Sequence, residues 1–530
     1  MRLSILCCFA LAVPSMNAVE YFVSPDGDDA RSGRSAQQAW RSVAKVNATA
    51  FAPGSVICFA GGQRFPGGIV LDAADAGTAT APVVLTSYGE GRAVIEPGAE
   101  EHGIHAVDCG GLEIRDLVVR GVGLDANTRN GVYLYAEKAP ARLAHVRIQR
   151  LEVTGFGDHG VLFGADDNAR GYHDVLISEV DAHHNGLAGI SSWGDSATAA
   201  VGWAHSAVRV ERCRAWSHPG KTGRSNHSGS GIVLGGIDGA VIERCVAWDN
   251  GARCDFPGGG PVGIWAWDCR KVLIQYNESH HNRTGNASVD GGGFDFDGGV
   301  TDSLMQYNYS HDNDGAGYLI CQYANARPFR DNIVRYNLSV DDGQAHGYGA
   351  IHFHTWKSGD LGACQILFNT VIATRRGRGN PACVRFTGGT CTGIVLAGNL
   401  FVAGADIPHV DCVFPDPGAR FLGNAYVGAT PALRITWAGA THGDLAAWRA
   451  ASGQERDGGV DRGESWVQDI VPGEAPVLAN IADFAPLARY AATRPSAPLA
   501  DVDQDGQSQD LLGSALPRPR VHAGAIGAGK

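Results

Sequence analysis

A strand-like segment recurs through the chain every 29–34 residues, and this repeat limits the possible folds more than any other feature. Its copies include VRVERC, AVIERC, VLIQYN, SLMQYN and NIVRYN. The last residues of ten copies form one column: Leu117, Leu151, Val180, Cys213, Cys245, Asn277, Asn308, Asn337, Asn369 and Asn399. A period of this length with alternating apolar positions predicts short strands that stack coil upon coil, about 4.8 Å apart.

The second half of this column is a run of Asn residues, from Asn277 to Asn399. We expect them at a sharp corner, because Asn tolerates the left-handed backbone and its amides can hydrogen-bond along a stack. Leucine-rich repeats and propellers are disfavoured, since their signature spacings are absent from the sequence. The sequence therefore predicts an all-β chain: a right-handed parallel β-helix, or solenoid, of about ten or more coils, with an N-terminal cap and an irregular C-terminal closure.

Composition agrees with many short strands joined by tight turns. Gly accounts for 73 of 530 residues, and charged residues for 18%, against about 25% in an average soluble protein. The 44% hydrophobic share excludes disorder, and neither a collagen repeat nor a heptad repeat is present. The net charge of −12 argues against a nucleic-acid partner, and we expect a monomer.

The N-terminus, MRLSILCCFALAVPSMNA, has the pattern of a secretory signal. Arg2 precedes an apolar stretch from Leu3 to Val13, which is too short to span a membrane. We expect residues 1–18 to be removed and the protein to be secreted, to the periplasm or the exterior, without a membrane span. The remaining chain divides into a cap with first coils (19–100), the β-helix body (101–430) and C-terminal coils with a closing segment (431–530).

A second strand column follows a glycine in most coils, as in GIWAWD and GFDFDG. Alternate residues of a strand point to opposite faces, so this column divides into two stripes. The stripe predicted to face the core contains Ile264, Ala266, Phe294, Phe296, Tyr318, Ile320, Ile351 and Phe353. The stripe predicted to face outward contains Tyr133, Tyr135, Ser191, Trp193, Trp265, Trp267, Asp295, Asp297, Leu319, Cys321, His352 and His354.

Three stretches resemble secreted right-handed β-helix enzymes of the pectate-lyase-like superfamily. They are the start (YFVSPDGDDARSGRSAQQAW and FAPGSVICFAGGQRF), the coil repeat, and the end (LAAWRAASGQERDGG, PLADVDQDGQ and GAIGAG). The resemblance implies the fold and a carbohydrate-active class, but this fold carries lyases, hydrolases, epimerases and adhesins. No polygalacturonase-type set of NTD, DD and GHG occurs in order, and neither does the RxxRxP of pectate lyases, so no site residues carry over from a characterised family.

The outward stripe itself predicts a site. Asp295 and Asp297 lie two apart on one strand, and glycoside hydrolysis needs two carboxyl groups, one protonated and one ionised. Close carboxylates raise one another's pKa, which favours that division. The prediction is a glycoside hydrolase with these catalytic residues: Asp295, Asp297, Asp314 as a third carboxylate, and His352 and His354 as assisting groups. The predicted sugar platforms are Trp265 and Trp267.

Two alternatives stay open from sequence. A polysaccharide lyase or epimerase acting on a uronate polymer would hold Ca²⁺ on the Asp pair and use Lys357 or Arg385 as base or cationic contact to the substrate. A non-catalytic glycan-binding helix would present the same groove without turnover. We expect no obligatory cofactor for the hydrolase, with Ca²⁺ possible, and a poly- or oligosaccharide as the partner.

Overall fold

The structure is a computed structural model that describes residues 18–196, 202–285, 289–357, 359–415, 417–468, 475–480, 483–484 and 487. Apart from Ala18, the predicted signal segment lies outside these residues. The chain forms a parallel β-solenoid of about 11 turns with 4% helix, which confirms the predicted all-β helix. A typical coil contributes one strand to each of three faces.

Face 1 carries the glycine-led column. Its strands are Ile69–Leu71, Ile104–Val107, Val132–Ala136, His159–Ala165, Ala188–Trp193, Gly292–Phe296, Tyr318–Tyr323, Gly349–Trp356, Ala382–Thr387, Val410–Cys412, Ile435–Trp437 and the antiparallel Ala440–His442. Two long strands cross from face 1 to face 2: Ser230–Glu243 and Val262–Gln275. The other face 2 strands are Val19–Val23, Ser55–Ala60, Val83–Tyr88, Leu112–Arg115, Leu143–Gln149, Tyr172–Ser178, His205–Glu211, Leu304–Gln306, Asn332–Arg335, Cys364–Leu367, Ile394–Ala397 and Ala419–Leu422.

Face 3 is a separate sheet of short strands. They are Arg64–Pro66, Ala93–Glu96, Leu117–Arg120, Glu152–Thr154, Asp181–His183, Arg214–Trp216, Val246–Trp248, Glu278–His280, Tyr309–His311, Leu338–Val340, Thr370–Ala373, Leu400–Ala403, Ala425–Gly428 and Glu464–Val467. Two strand pairs lie outside the faces: Asp360–Leu361 with Thr390–Cys391, and Arg456–Asp457 with Val460–Asp461.

Helices occur only as short segments among the described residues. They are the α-helices Val43–Asn47 and Leu445–Ser452 and the 3₁₀ turns Ala36–Gln38 and Ala73–Asp75. In the described part of the chain, no helix has the length and apolar character needed to cross a membrane.

The predicted strand phase on face 1 is confirmed. Ile264 pairs with Phe294, and Phe294 pairs with Tyr318, in successive coils. The whole predicted inner stripe is buried in the central apolar core. Because side chains alternate, the residues between these positions must point outward, toward solvent or the loops that join face 3 to face 1.

The predicted ladder column lies at the corner between faces 2 and 3, and every member is fully buried. The Asn277 amide donates to Asn308 Oδ1 at 2.9 Å, and the same bond repeats from Asn308 to Asn337 at 3.0 Å. One detail of the prediction is wrong. The left-handed backbone belongs to the preceding residue, as at Tyr276 (φ 55°) and Tyr307 (φ 56°), because the Asn side chain must point inward to reach its neighbours.

A second ladder, which sequence analysis missed, lies at the corner between face 3 and the loops. The Asn250 amide donates to Asn282 Oδ1 at 2.9 Å, Asn282 to Asn313 at 3.0 Å, and Asn313 to Asp342 at 2.8 Å. The repeated HHN, DN and HDN turns carry this ladder. The two buried ladders fix where each coil leaves face 3, and therefore where each loop begins above face 1.

Candidate active site

A cavity of about 540 Å³ lies on face 1, between the strands and the loops that enter them. Three carboxyl groups of one short segment line it: Asp290, Asp295 and Asp297. The rest of the wall is mostly aromatic and apolar, with Asn226, His227, Phe256, Pro257, Trp265, Trp267, Val289, Leu319, Cys321, Tyr323, Tyr348, His354 and Trp356 among its residues. This volume and lining are typical of a small-molecule site.

Strand register sets the depth of each carboxyl. Asp295 lies in the middle of strand Gly292–Phe296, between Trp265 of the preceding coil and Leu319 of the next. Asp297 follows the last residue of this strand, and Asp290 precedes its first. The structure therefore places one carboxyl on the floor of the cavity and one beyond each end of that strand.

Asp295 is the most deeply buried of the three, with 3% of its surface exposed. Its Oδ1 is buried without a hydrogen-bond partner among the described residues. Burial, followed by the carboxylates of Asp297 and Asp290, raises the pKa of Asp295 well above its usual range. Its surroundings therefore favour the protonated form, which a general acid needs in order to give up a proton.

Asp297 is the more ionised partner. Burial raises its pKa to about 6, although the backbone N–H of Gly298 donates to its Oδ1 at 2.7 Å and favours the charged form. The thiol of Cys321 also hydrogen-bonds to this carboxyl. The cavity therefore pairs Asp295, whose surroundings favour the protonated form, with Asp297, which ionises above about pH 6. This is the division that glycoside hydrolysis requires.

Asp290 was not predicted from sequence. Its Oδ1 accepts a hydrogen bond of 2.5 Å from the hydroxyl of Tyr348, and its Oδ2 accepts from the backbone of Gly260. Tyr348 and Gly260 lie in two different loops, so their contacts fix Asp290 above the strand. The acidic residue before a run of three glycines was its available signal in the sequence.

The two predicted histidines have different positions. His354 lines the cavity, whereas His352 lies beneath the surface with 2% exposed. The prediction that His352 assists directly at the site is therefore wrong. The Gly349 N–H donates to His352 Nδ1 at 3.0 Å, and burial lowers the pKa of His352 well below its usual range. A neutral His352 then carries its proton on Nε2 and donates to Thr387 Oγ1 at 2.7 Å.

This chain of bonds continues to the cavity. Thr387 Oγ1 lies 2.9 Å from His354 Nδ1, and its own proton is free to be donated there. Burial lowers the pKa of His354, which is therefore neutral at pH 7. With Nδ1 as acceptor, the proton of His354 resides on Nε2, where it can donate to a ligand hydroxyl.

The two predicted tryptophans are both in the cavity wall. Trp265 is only 4% exposed, and its indole N–H donates to Ser230 Oγ at 3.2 Å, so it closes the wall rather than forming an open platform. Trp267 is half-buried and covers Gly235 of the preceding coil. Trp267 is thus the indole that offers a ring face to a ligand.

Three other predicted residues lie outside the cavity wall. Asp314 accepts from Arg283 and from the Thr284 N–H, both at 3.2 Å, in a neighbouring loop. Arg385 is buried and paired with Asp411 at 2.7 Å. These two predicted positions are wrong, because each charged group is taken up by a local partner.

Lys357 lies at the mouth of the cavity. Its Nζ is 4.0 Å from the ring centroid of Trp356, which is 48% exposed. Lys357 does not line the cavity, and within the described part of the chain no Lys or Arg does. A site with three carboxyl groups and no cation is poorly suited to a polyanionic uronate chain.

Residues of the types that bind metal ions cluster outside this cavity. Among the described residues, two overlapping groups could hold an ion, Glu278–His280–His311 and His281–His311–Asp312, and they lie on or beside face 3. The His280 and His311 rings are stacked at 4.7 Å with planes 10° apart. Ring nitrogens bind metals in the ring plane, so parallel rings cannot direct both lone pairs at one ion. We interpret the first group as a stacked ladder in which His311 hydrogen-bonds to Glu278 and Asp312.

Comparison with known proteins agrees with this fold. The family model described as "Right handed beta helix region" matches residues 102–371, just over half of the chain. The lacto-N-biosidase of Bifidobacterium longum subsp. longum is 24% identical over a 429-residue alignment that covers 63% of this chain. The alignment covers 26% of that relative, so the chain spans about a quarter of its length.

Two solved structures of GH136 lacto-N-biosidase from Eubacterium ramulus are also similar. The selenomethionine derivative is 19% identical with a TM-score of 0.53, and the native protein is 18% identical with a TM-score of 0.54. Each alignment covers 77% of this chain and 67% of the other. At these identities, the similarity shows a shared fold.

Proposed function

The chain belongs to the right-handed β-helix family, and we propose that it is a glycoside hydrolase whose active site is the carboxyl-lined cavity on face 1. The observation that supports this most is the pair of neighbouring carboxyls with divided pKa values. That of Asp295 is raised well above its usual range, and that of Asp297 is raised to about 6. The similar proteins are named lacto-N-biosidases, and that name denotes glycoside hydrolysis.

In this mechanism, Asp295 donates its proton to the glycosidic oxygen as the bond from that oxygen to the anomeric carbon breaks. The Asp297 carboxylate either bonds to the anomeric carbon as the nucleophile or takes a proton from the water that attacks this carbon. The developing positive charge on the sugar ring is stabilised by the Asp297 carboxylate, which lies in a largely apolar wall. His354 holds a sugar hydroxyl, and Trp267 packs against a sugar face.

Asp290 is the competing candidate for the acid, because it is the third carboxyl of the same wall. Leaving-group dependence separates the two. A variant that lacks the acid keeps most of its activity on an activated aryl glycoside, whose leaving group needs no proton, but loses activity on a natural glycan. We expect that pattern for Asp295→Asn. If Asp290→Asn shows it instead, Asp290 is the acid.

The class of reaction is tested with a panel of glycans and aryl glycosides, including an aryl lacto-N-bioside, in heavy-oxygen water. Product mass is the measurement. A hydrolase incorporates one oxygen from water into the new reducing end, whereas a lyase gives an unsaturated product without it. An unsaturated product would refute the proposal, and so would binding of a glycan without any turnover.

The site also fits a secreted enzyme that acts as a monomer on glycans outside the cell. The signal-like N-terminus supports secretion. N-terminal sequencing of the secreted protein and its mass in solution test these two points.

A further inference from the structure

Beyond the cavity, face 1 carries a row in which aromatic residues and glycines alternate from coil to coil. Trp267 pairs in register with Gly235, Trp193 with Gly164, and Gly164 with Tyr135. The row runs from Asp297 toward the N-terminal coils. With coils about 4.8 Å apart, Tyr135 lies about 24 Å from Asp297 along the solenoid.

The glycines let the aromatic rings lie against the sheet. A Cβ on Gly235 would be only 2.5 Å from the indole Nε1 of Trp267 and 2.7 Å from its Cζ2. A Cβ on Gly164 would be 3.0 Å from Trp193 Nε1 and 3.1 Å from the Tyr135 ring. Each indole therefore covers a glycine with one side and turns the other away from the sheet.

The rings of Tyr135 and Trp193 form one surface. The centroids of Tyr135 and Trp193 are 5.6 Å apart although their coils are two steps apart, because both rings lean over Gly164. All three aromatic residues are half-buried, so part of each ring meets solvent. At the far end, the Tyr135 hydroxyl donates to Asp166 at 2.5 Å, which places an exposed acceptor beside the row.

Such a row fits one class of ligand. The C–H face of a pyranose ring packs on the electron-rich face of an indole or phenol, and carboxylates beside the rings accept its hydroxyl protons. Trp267 belongs both to this row and to the cavity wall, so one chain of sugars can occupy both. We propose that Trp267, Trp193 and Tyr135 form an extended glycan-binding track, and that the substrate is a linear glycan long enough to reach it.

This inference rests on the proposed glycoside hydrolase activity and adds to it a requirement for substrate length. The test compares Trp193→Ala with the native protein on an oligosaccharide series, from disaccharide to octasaccharide, of the glycan that the native protein hydrolyses, and on a short aryl glycoside. We expect kcat/KM to fall about tenfold on the longest members, the loss typical of one stacking aromatic residue, and to stay unchanged on the aryl glycoside.

Trp216→Ala is the matched control, because Trp216 is also a half-buried outward indole but lies on face 3. It should leave both substrates unaffected. An equal loss on long and short substrates, or no loss with Trp193→Ala, would overturn the track while leaving the hydrolase intact.

A binding experiment tests the proposed glycan-binding track without requiring turnover. The octasaccharides of the panel are titrated calorimetrically into Asp297→Asn and into the double variant that also carries Trp193→Ala. About tenfold weaker binding in the double variant supports the track, and equal binding refutes it. If the native protein hydrolyses nothing, the hydrolase proposal fails, but the same titrations still show whether glycans bind through Trp193.

Discussion

Faces 1 and 3 both carry rows of outward aromatic residues, but the two rows are arranged differently. On face 3, His183, Trp216, Trp248 and His280 occupy one position in successive coils. The Trp216 and Trp248 rings are stacked at 4.9 Å with planes 2° apart, and Trp248 stacks on His280 at 6.0 Å and 8°. On face 1, Trp267 has a glycine in the preceding coil instead of a ring.

The difference shows what decides whether an outward ring is available to a ligand. When every coil supplies a ring, the rings cover one another's faces and expose only their edges, which stabilises the coil stack. When a glycine precedes the ring, the ring falls onto the backbone and keeps one face open. The same residue type on the same solenoid is thus structural on face 3 and suited to binding on face 1.

The largest expected effect concerns the carboxyls that only face 1 brings together. Asp297→Asn should lower turnover by about 10³-fold or more, since general acid–base assistance alone contributes about 10²–10⁴-fold. Asp181→Asn on face 3, whose carboxylate is paired with Arg214 at 2.6 Å, should leave turnover unchanged. Steady-state kinetics on the best substrate of the panel measures both. Full activity in the double variant Asp295→Asn, Asp297→Asn would refute the assigned site.

A glycine on face 1 should be almost as sensitive. Gly235→Ala adds a Cβ that clashes with the Trp267 indole and lifts it from the sheet. The expected result is a fall in kcat/KM of about tenfold, as large as the loss from removing the ring, with little change in the melting temperature. Kinetics and thermal unfolding are the measurements. If Gly235→Ala is fully active, the flat position of Trp267 is not needed for function.

The two tryptophan rows should respond in opposite ways to truncation. Trp248→Ala removes a ring stacked on both sides and should cost about 1–3 kcal/mol of unfolding free energy, while activity stays within about twofold. Trp267→Ala should instead lower kcat/KM about tenfold at a smaller cost in stability. Denaturant unfolding and kinetics on the same samples compare them. Loss of activity in Trp248→Ala would remove the distinction between the faces.

The pH dependence of kcat/KM should also be set by the carboxyl groups of face 1. Because the pKa of Asp297 is about 6, kcat/KM should rise with pH through that value and be about tenfold below its plateau at pH 5. A decline at higher pH should follow as Asp295 ionises, since its pKa is raised well above the usual range. A pH–rate profile between pH 4 and 9 is the measurement.

Stability should change with pH in the opposite direction. The folded pKa of Asp297 lies above its ordinary value of 3.8, so the folded state holds the proton more tightly between pH 4 and 6. Stability must then fall as pH rises across that window. Asp297→Asn should remove this contribution and raise the melting temperature by a few degrees at neutral pH. An Asp297→Asn variant that melts lower than the native protein at neutral pH would contradict this.

The smallest expected effect is that of a chelator. A hydrolase that uses only carboxyls should keep its activity within about twofold after treatment with EDTA, whereas a Ca²⁺-dependent lyase would lose it. Activity before and after dialysis against EDTA, with and without added Ca²⁺, is the measurement. Loss of activity that Ca²⁺ restores would favour the metal-dependent alternative on Asp295 and Asp297.

Much of the fold could be predicted from the sequence, because a solenoid is encoded locally. Each coil repeats one pattern, and each coil contacts mainly its neighbours, so the period and the strand alternation are sufficient. The column from Leu117 to Asn399 and the inner stripe of face 1 were confirmed for this reason. The same alternation placed Trp267, Asp295, Asp297 and His354 in one cavity.

The remaining features depend on contacts between coils and loops, which have no period. Asp290 enters the cavity because Tyr348, 58 residues away, and the Gly260 backbone hold its carboxylate. Asp314 lies outside the cavity because it forms a salt bridge with Arg283. Arg385 lies outside it because it forms a salt bridge with Asp411. His352 is outward in phase but buried, since the chain around Gly349 and Thr387 closes over it.

The sequence by itself thus determined the solenoid, its core and the face that carries the carboxyls, because strand alternation and coil period are properties of short segments. Only the tertiary structure decided how deep each carboxyl lies, which carboxyl is protonated, and which indoles lie flat. Those properties follow from desolvation and from neighbours one coil away or in another loop. A pKa depends on everything packed around the group, and a ring's orientation depends on whether the preceding coil supplies a glycine.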